Sequence, residues 1–247
     1  MDTQQQTKFK ILLIGDDCVD VYQYGTVDRI SPEAPVPVFK YSNEVSKPGM
    51  AANVKANLEA LGCDVSYMHG DTSTKTRLID SRSKQQIVRI DNDVTSKPID
   101  FTNIPESFDA VVISDYNKGT VTYELIEGIR KNYHGPIFVD TKKTDLARLE
   151  GCVVKINSVE NSLIKTTCSD LIVTLGKDGA RYKDITYPAE PVEVADVCGA
   201  GDTFLAALTW QYVRLNSMES AIEYAVRASA VTVQHIGVYA PTHKEIV

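Results

Sequence analysis

The sequence predicts an α/β fold, with a mostly parallel central sheet flanked by helices. Three observations carry that prediction. Short, largely apolar runs at 11–14, 110–113, 153–156 and 171–174 have the length and composition of strands buried on both faces. Stretches of helical spacing lie between and after them, which is the alternation that builds a parallel sheet wrapped by helices. Polar residues gather just past the ends of the runs, where such sheets collect ligands. With 247 residues, 43% of them apolar, the chain can fill one large core, so a single domain over 1–247 is expected.

Each element follows in order. Ile11-Leu12-Leu13-Ile14 is expected to form the first strand and to stop at Gly15-Asp16. Residues 21–40 contain Pro32, Pro35 and Pro37 with Val36 and Val38 alternating, which suits edge strands and turns away from the main sheet. Ala51, Val54, Leu58 and Leu61 fall at helical spacing and end at Gly62, a C-cap. Residues 65–69 read as a strand. Residues 77–80 and 86–91 alternate weakly and carry charge, as in a hairpin partly open to solvent. A buried strand at 110–113 leads into Ser114-Asp115-Tyr116-Asn117-Lys118-Gly119. A helix over 121–132, a strand over 136–139 ending at Asp140, two more strands and helices over about 201–215 and 218–234 complete the chain. Gly15-Asp16, Ser114-Asp115, Asp140, Asn157 and Thr174-Leu175-Gly176 would then form one pocket rim.

Composition narrows the function. A net charge of −7 argues against nucleic acid as a partner. No apolar run approaches the roughly 20 residues of a membrane helix, and the polar N-terminus does not read as a signal peptide. Five cysteines without CxxC spacing and four scattered histidines suggest no zinc site. Free thiols in a reducing cytoplasm fit best, which makes the expected location cytoplasmic. Cys198 is read as a small buried thiol rather than a reactive one. A dinucleotide redox site is excluded by the lack of GxGxxG after the first strand.

The richest motif runs from Asp196 to Phe204. Gly199-Ala200-Gly201 is flexible and small enough to approach a phosphate, and the helix behind it offers unpaired N–H groups and a positive dipole end to an anion. Asp202 in that setting suits a carboxylate that orients a hydroxyl and accepts its proton. A glycine turn with an aspartate in the first helical turn is the plainer alternative.

These residues resemble the ribokinase-like (PfkB) carbohydrate kinases across nearly the whole chain. The stretch from Asp196 is similar to that family's C-terminal signature. Lys47-Pro48-Gly49-Met50-Ala51-Ala52-Asn53, followed by Leu61-Gly62, is similar to its N-terminal one. Asn157-Ser158-Val159-Glu160 has the family's NxxE spacing, and 174–179 looks like its nucleotide-side loop. A narrower resemblance, to heptose 7-phosphate kinases of lipopolysaccharide precursor synthesis, rests on Arg29-Ile30-Ser31-Pro32-Glu33-Ala34-Pro35-Val36-Pro37-Val38. Gly15-Asp16, Asp20, residues 85–91, Ser114-Asp115-Tyr116 with Lys118-Gly119, and Val139-Asp140-Thr141-Lys142 support it.

The resemblance implies ATP-dependent phosphorylation of the anomeric hydroxyl of a heptose 7-phosphate, with Mg²⁺ as cofactor and a monovalent cation beside the anion loop left open. It implies Asp202 as base, with a low pKa at its helix terminus, and the amides of Gly199, Ala200 and Gly201 as the anion hole. Asp20, Gly49 and Asn53 would meet the sugar, while Lys118, Lys142, Arg77 and Arg89 are candidates for its phosphate. Solvated surface charge is the alternative for each of those four cations, a turn or cap residue for Asp20, and a solvent-facing helix position for Asn53. Asn157, Thr174, Gly176, Gly179 and Asp196 would line the nucleotide site, and Glu160 would hold magnesium through water. Segments 21–46 and 71–92 would form a small β lid that also pairs two subunits.

The match also departs from the family. Met50 stands where a second glycine is usual. The connections at 69–77, 93–110 and 160–171 are short. Val226 and residues 234–238 differ around the adenine side. No nucleotidyltransferase-like segment follows within the 247 residues, so kinase chemistry alone is expected of them. Another sugar, sugar phosphate or nucleoside as acceptor, or a non-catalytic binding protein, are the competing readings.

Overall fold

The computed structural model describes residues 8–100 and 107–247. The N-terminal segment read as lacking a signal peptide, and part of the short connection before Ala110, lie outside the described residues. Among the described residues, ten strands form one sheet. Its middle six strands are parallel: β3 (Asp64–Asp80), β1 (Lys10–Ile30), β5 (Ala110–Asp115), β6 (Ile137–Thr141), β7 (Val153–Asn157) and β8 (Leu171–Thr174). The antiparallel additions are β2 (Pro37–Met50), β4 (Gln86–Asn92), β9 (Ala180–Tyr182) and β10 (Ile185–Tyr187). The order across the sheet is β10-β9-β8-β7-β6-β5-β1-β3-β4, with β2 added to β1.

Alternation along the apolar runs sends side chains to both faces. Ile11, Leu13, Ala110, Val112 and Phe138 pack beneath α1 (Ala51–Ala60), α4 (Ala200–Leu215) and α5 (Met218–Thr232). Leu12, Ile14, Val111, Ile113 and Val139 pack on the opposite face against α2 (Tyr123–Asn132) and the turn bearing Leu146 and Leu149. The shortest helices are α3 (Ser158–Asn161) and α6 (His243–Ile246). Gly62 does end α1. Its N–H bonds to Glu59 O and that of Cys63 to Leu58 O, with φ +88° at the glycine, a paired C-terminal cap that only a residue tolerant of positive φ closes cheaply.

The first strand does not stop at Gly15-Asp16. It continues to Ile30, exchanging its neighbour β5 for β2 while keeping β3. The change occurs at a register shift between Gly15 and Asp17, where a side chain on Gly15 would lie 2.3 Å from Ser114 O. The short 69–77 connection has a matching explanation. β3 simply continues through it, and the strands of 21–50 and 71–92, expected to lie away from the main sheet, instead extend it through β1 and β3. The short 160–171 connection holds α3 and a single parallel bridge, Asp145 to Thr166.

Candidate active site

Asp202 occupies the first turn of α4, behind the N-cap Gly199, whose φ is +78°. Its carboxylate accepts a hydrogen bond from Asn53 Nδ2 at 2.8 Å on one oxygen and from the Tyr116 hydroxyl at 2.9 Å on the other. Asn53 is buried on α1 rather than facing solvent. A chain of buried hydrogen bonds holds this corner together. Asn57 Nδ2 donates to Asn53 O, Thr203 Oγ1 to Asn57 Oδ1, and Thr232 Oγ1 to Thr203 Oγ1, tying α1, α4 and α5 to one another.

The low pKa expected of Asp202 is overturned. Burial pushes the carboxyl up to about 6; the Asn53 amide opposes this, the Asp140 charge adds to it, and Tyr116 and Lys155 oppose it again. An exposed helix N-terminus favours a carboxylate by about 0.3–1 kcal/mol, whereas withdrawing the charge from water costs several kcal/mol. Burial is the larger effect.

Asp202 lines a cavity of about 120 Å³ together with Asp115, Tyr116, Asp140, Lys142, Lys155, Asn157, Glu160, Gly199 and Gly201. Three of its four carboxylates are ion-paired: Asp115 with Lys143 at 3.1 Å, Asp140 with Lys155 at 2.6 Å and Glu160 with Lys142 at 2.6 Å. Among the described residues, Asp202 alone of the four is held by neutral donors. The NxxE spacing proves to be a capping box, in which Asn157 Oδ1 accepts from Glu160 N and Glu160 Oε2 accepts from Asn157 N. It fixes the Glu160 carboxylate on the cavity wall. Burial opposes ionisation there, but the Lys142 ammonium and the Asn157 N–H outweigh it and hold the carboxyl below its usual range.

On the other side of Gly201, a cleft of about 770 Å³ is lined by Thr174, Gly176, Gly179, Val192, Phe204, Val226 and Val233 among others. That lies within the roughly 300–1,000 Å³ of small-molecule sites. Gly201 lines both the cleft and the Asp202 cavity. Asp196 does not line the cleft. Its two oxygens accept the N–H groups of Cys198 and Gly237, stapling two loops. Burial pushes the half-buried Cys198 thiol up, in keeping with an inert side chain.

The sheet extension gathers charge on one face. Registers pair Asp20 with Lys47 and Lys75, Tyr22 with Arg77, and Arg77 with Arg89, so all six side chains share that face. Asp20 is buried and bonded to the Arg77 guanidinium, which lies 5.3 Å from the Tyr22 ring centre. Asp20 is thus an ion-pair partner rather than a turn or cap residue. A side chain on Gly49 would lie 2.5 Å from Asp20 Oδ2. Arg89 is exposed and held by Asp91. Lys118 pairs with Asp93, whose carboxyl also feels Lys75 and Arg89 of this face, and it does not line the Asp202 cavity. Lys142 is in the cavity itself, not on the extension.

Two cavity residues carried no role in the sequence reading. Tyr116 lies inside a run noticed only as a motif. Lys155 had a signal, since it interrupts an otherwise apolar strand, 4% exposed in the structure. The Gly15-Asp16 pair also gains a reason. Asp16 accepts the N–H groups of Tyr116 and Lys118 at 2.7 and 3.1 Å and that of Thr120 at 3.3 Å, shaping the loop that presents Tyr116. The five cysteines are free, and no helix of the described residues is long and apolar enough to cross a membrane.

Known proteins share parts of this chain's sequence and its fold. A profile of the pfkB family carbohydrate kinases matches residues 151–245. The bifunctional protein HldE of Helicobacter pylori is 32% identical over 92% of this chain and 64% of its own length. That of a Nitratiruptor species is 32% identical over 97% of this chain and 64% of its own. The chain therefore spans under two thirds of these relatives. Arabidopsis thaliana ribokinase, solved with ribose and ATP, superposes with a TM-score of 0.71 at 15% identity over 97% of this chain and 98% of that one. Escherichia coli phosphofructokinase-2, solved with potassium, gives 0.72 at 16% identity over 97% and 96%. The fold is ribokinase-like, and residues 151–245 are similar to the pfkB family carbohydrate kinases.

Proposed function

We propose that the chain transfers the γ-phosphoryl group of ATP to the anomeric hydroxyl of D-glycero-D-manno-heptose 7-phosphate, giving the 1,7-bisphosphate and ADP. The observation that carries this reading is Asp202: a buried carboxylate without an ammonium partner, in a cavity that shares Gly201 with a nucleotide-sized cleft. The sequence similarity across 92–97% of the chain supports the heptose acceptor.

In this reading Asp202 orients the sugar hydroxyl and takes its proton late in a loose phosphoryl transfer. First-turn amides of α4, which have no intrahelical acceptor, meet the charge on the moving group together with Lys155. Asn53 and Gly49 lie on the sugar side with Asp20. Arg77, Arg89, Lys47 and Lys75 form the face offered to the sugar's phosphate. Thr174, Gly176 and Gly179 border the nucleotide; Asn157 shapes its phosphate end, and Asp196 supports the loop beside it. The hard oxygen donor of Glu160, fixed by its cap, fits magnesium held through water, and that ion neutralises triphosphate charge when bound. The extension formed by 21–46 and 71–92 covers the sugar, and its exposed outer strand β4 pairs with a second copy.

The test is ADP release from MgATP against a panel of sugars, sugar phosphates and nucleosides, with and without potassium. Turnover of the heptose phosphate is expected; efficient use of fructose or ribose without it overturns the assignment. Asp202→Asn is expected to lower kcat by about 10²–10⁴-fold with substrate binding largely kept.

Met50 favours a second reading, in which the acceptor is another sugar. It is buried at the N-cap of α1 with φ +51° and ψ −132°, a conformation natural to glycine. The Met50→Gly variant separates the two on the same panel, by whether its preferred acceptor changes.

A further inference from the structure

Asp202 is gripped from two sides, by Asn53 from α1 and by Tyr116 from the end of β5. The second grip is itself held at several points. The Tyr116 N–H is fixed by Asp16, its neighbour Asn117 donates its N–H to Asp115 Oδ1 at 2.9 Å, and Asn117 takes φ +59° to complete the turn. The Tyr116 ring lies near two ammonium groups, Lys142 at 5.0 Å and Lys75 at 5.9 Å from its centre. Backbone and ring are both constrained, and the hydroxyl donates to the Asp202 oxygen that Asn53 does not occupy.

We propose that Tyr116 is a positioning residue for this base, its hydroxyl fixing the carboxylate plane and favouring the ionised form that accepts a proton. The proposal rests on the base role given to Asp202. Both oxygens of an ionised carboxylate can accept, and Asn53 Nδ2 and the phenol each supply a donor. Protonation wastes part of this arrangement, because an amide N–H₂ cannot accept the new proton. Without the phenol, the carboxylate keeps one donor and is free to turn. The other groups around Asp202 are Asp140 on β6 and Lys155 on β7, with Lys142, Glu160 and Asp115 on the cavity wall. They already form ion pairs among themselves or with Lys143, so none replaces the lost donor.

The experiment compares wild type, Tyr116→Phe and Asp202→Asn in steady-state kinetics from pH 5.5 to 9. Phenylalanine keeps the ring and its cation contacts and removes only the hydroxyl. Expected for Tyr116→Phe is a fall in kcat of about 10- to 100-fold at pH 7, with KM for acceptor and ATP little changed. The acid limb of kcat/KM should also move upward by about one pH unit. A 3-fluorotyrosine at 116, a stronger donor on the same frame, should move that limb the opposite way and serves if the phenylalanine variant folds poorly. A wild-type limb in both substituted proteins overturns the proposal, and so does a loss carried by KM alone, which would make Tyr116 a substrate contact. An active Asp202→Asn enzyme instead strikes the base reading, so the two failures are told apart.

Discussion

Lys155 is a nearly buried cation on the wall of the Asp202 cavity. Its ammonium donates to Asp140 at 2.6 Å and more weakly to Gly201 O at 3.3 Å. Removing one member of a buried pair costs about 3–5 kcal/mol, because the other is left charged and unpaired. Lys155→Met should therefore lose that much unfolding free energy in urea titrations at pH 8. Burial already raises the Asp140 carboxyl despite the lysine, so protonation rescues the variant and the loss should be smaller at pH 5. Asp202 gives a second pH signature. With its carboxyl at about 6 and the base role proposed for it, kcat/KM should rise as pH climbs through 6, a limb Asp202→Asn should lack. The stability contribution has the opposite sense. The folded state holds this proton more tightly than the unfolded chain, so the benefit is complete below the usual 3.8 and is lost as pH rises through 6. At this scale the sequence revealed residue types with strict local demands, such as Asp202, Asn53 and Gly199. It did not reveal the pairing of Asp20 with Arg77, or the direction of the Asp202 shift, because both depend on elements brought together from far apart in the chain.

At the start of α4, geometry and chemistry meet in Gly199. A Cβ there would lie 2.7 Å from Asn53 Nδ2 and 3.1 Å from Val238 Cγ1, at a φ of +78°. The backbone penalty alone is about 1–2 kcal/mol, and the displaced amide would be the one holding Asp202. Gly199→Ala should thus melt several degrees lower and lose kcat; calorimetry and ADP release report the two effects separately. The N-terminus of this helix was legible because small residues before an apolar-periodic run leave few alternatives. The length of β1 was not. Its apolar run stops at Ile14, and the polar residues beyond it are strand only because β2 and β3 supply partners on either side. The three-residue strands β9 and β10 escaped notice for a related reason: so few side chains establish no period.

For the molecule as a whole, the alternation of buried runs and helices was enough to indicate the central sheet. The sheet's outer extension reads in the sequence as edge strands, turns and a hairpin apart from the main sheet, whereas β2 and β4 are hydrogen-bonded into it. Its strand β4 is exposed along its whole length, with Val88 and Ile90 among the apolar residues in water. An unprotected edge of this kind suits the proposed pairing of two copies. Light scattering after size exclusion should give a dimer for wild type and a monomer for Val88→Lys/Ile90→Lys. One further consequence belongs to β1, which passes unbroken from the middle of the sheet to its rim. Slipping one extra amino acid in between Val19 and Asp20 would rotate every later side chain by half a revolution, so that the wet and dry sides trade places out to Ile30. Roof and floor are cut from one beam, and neither can be lengthened without turning over the other.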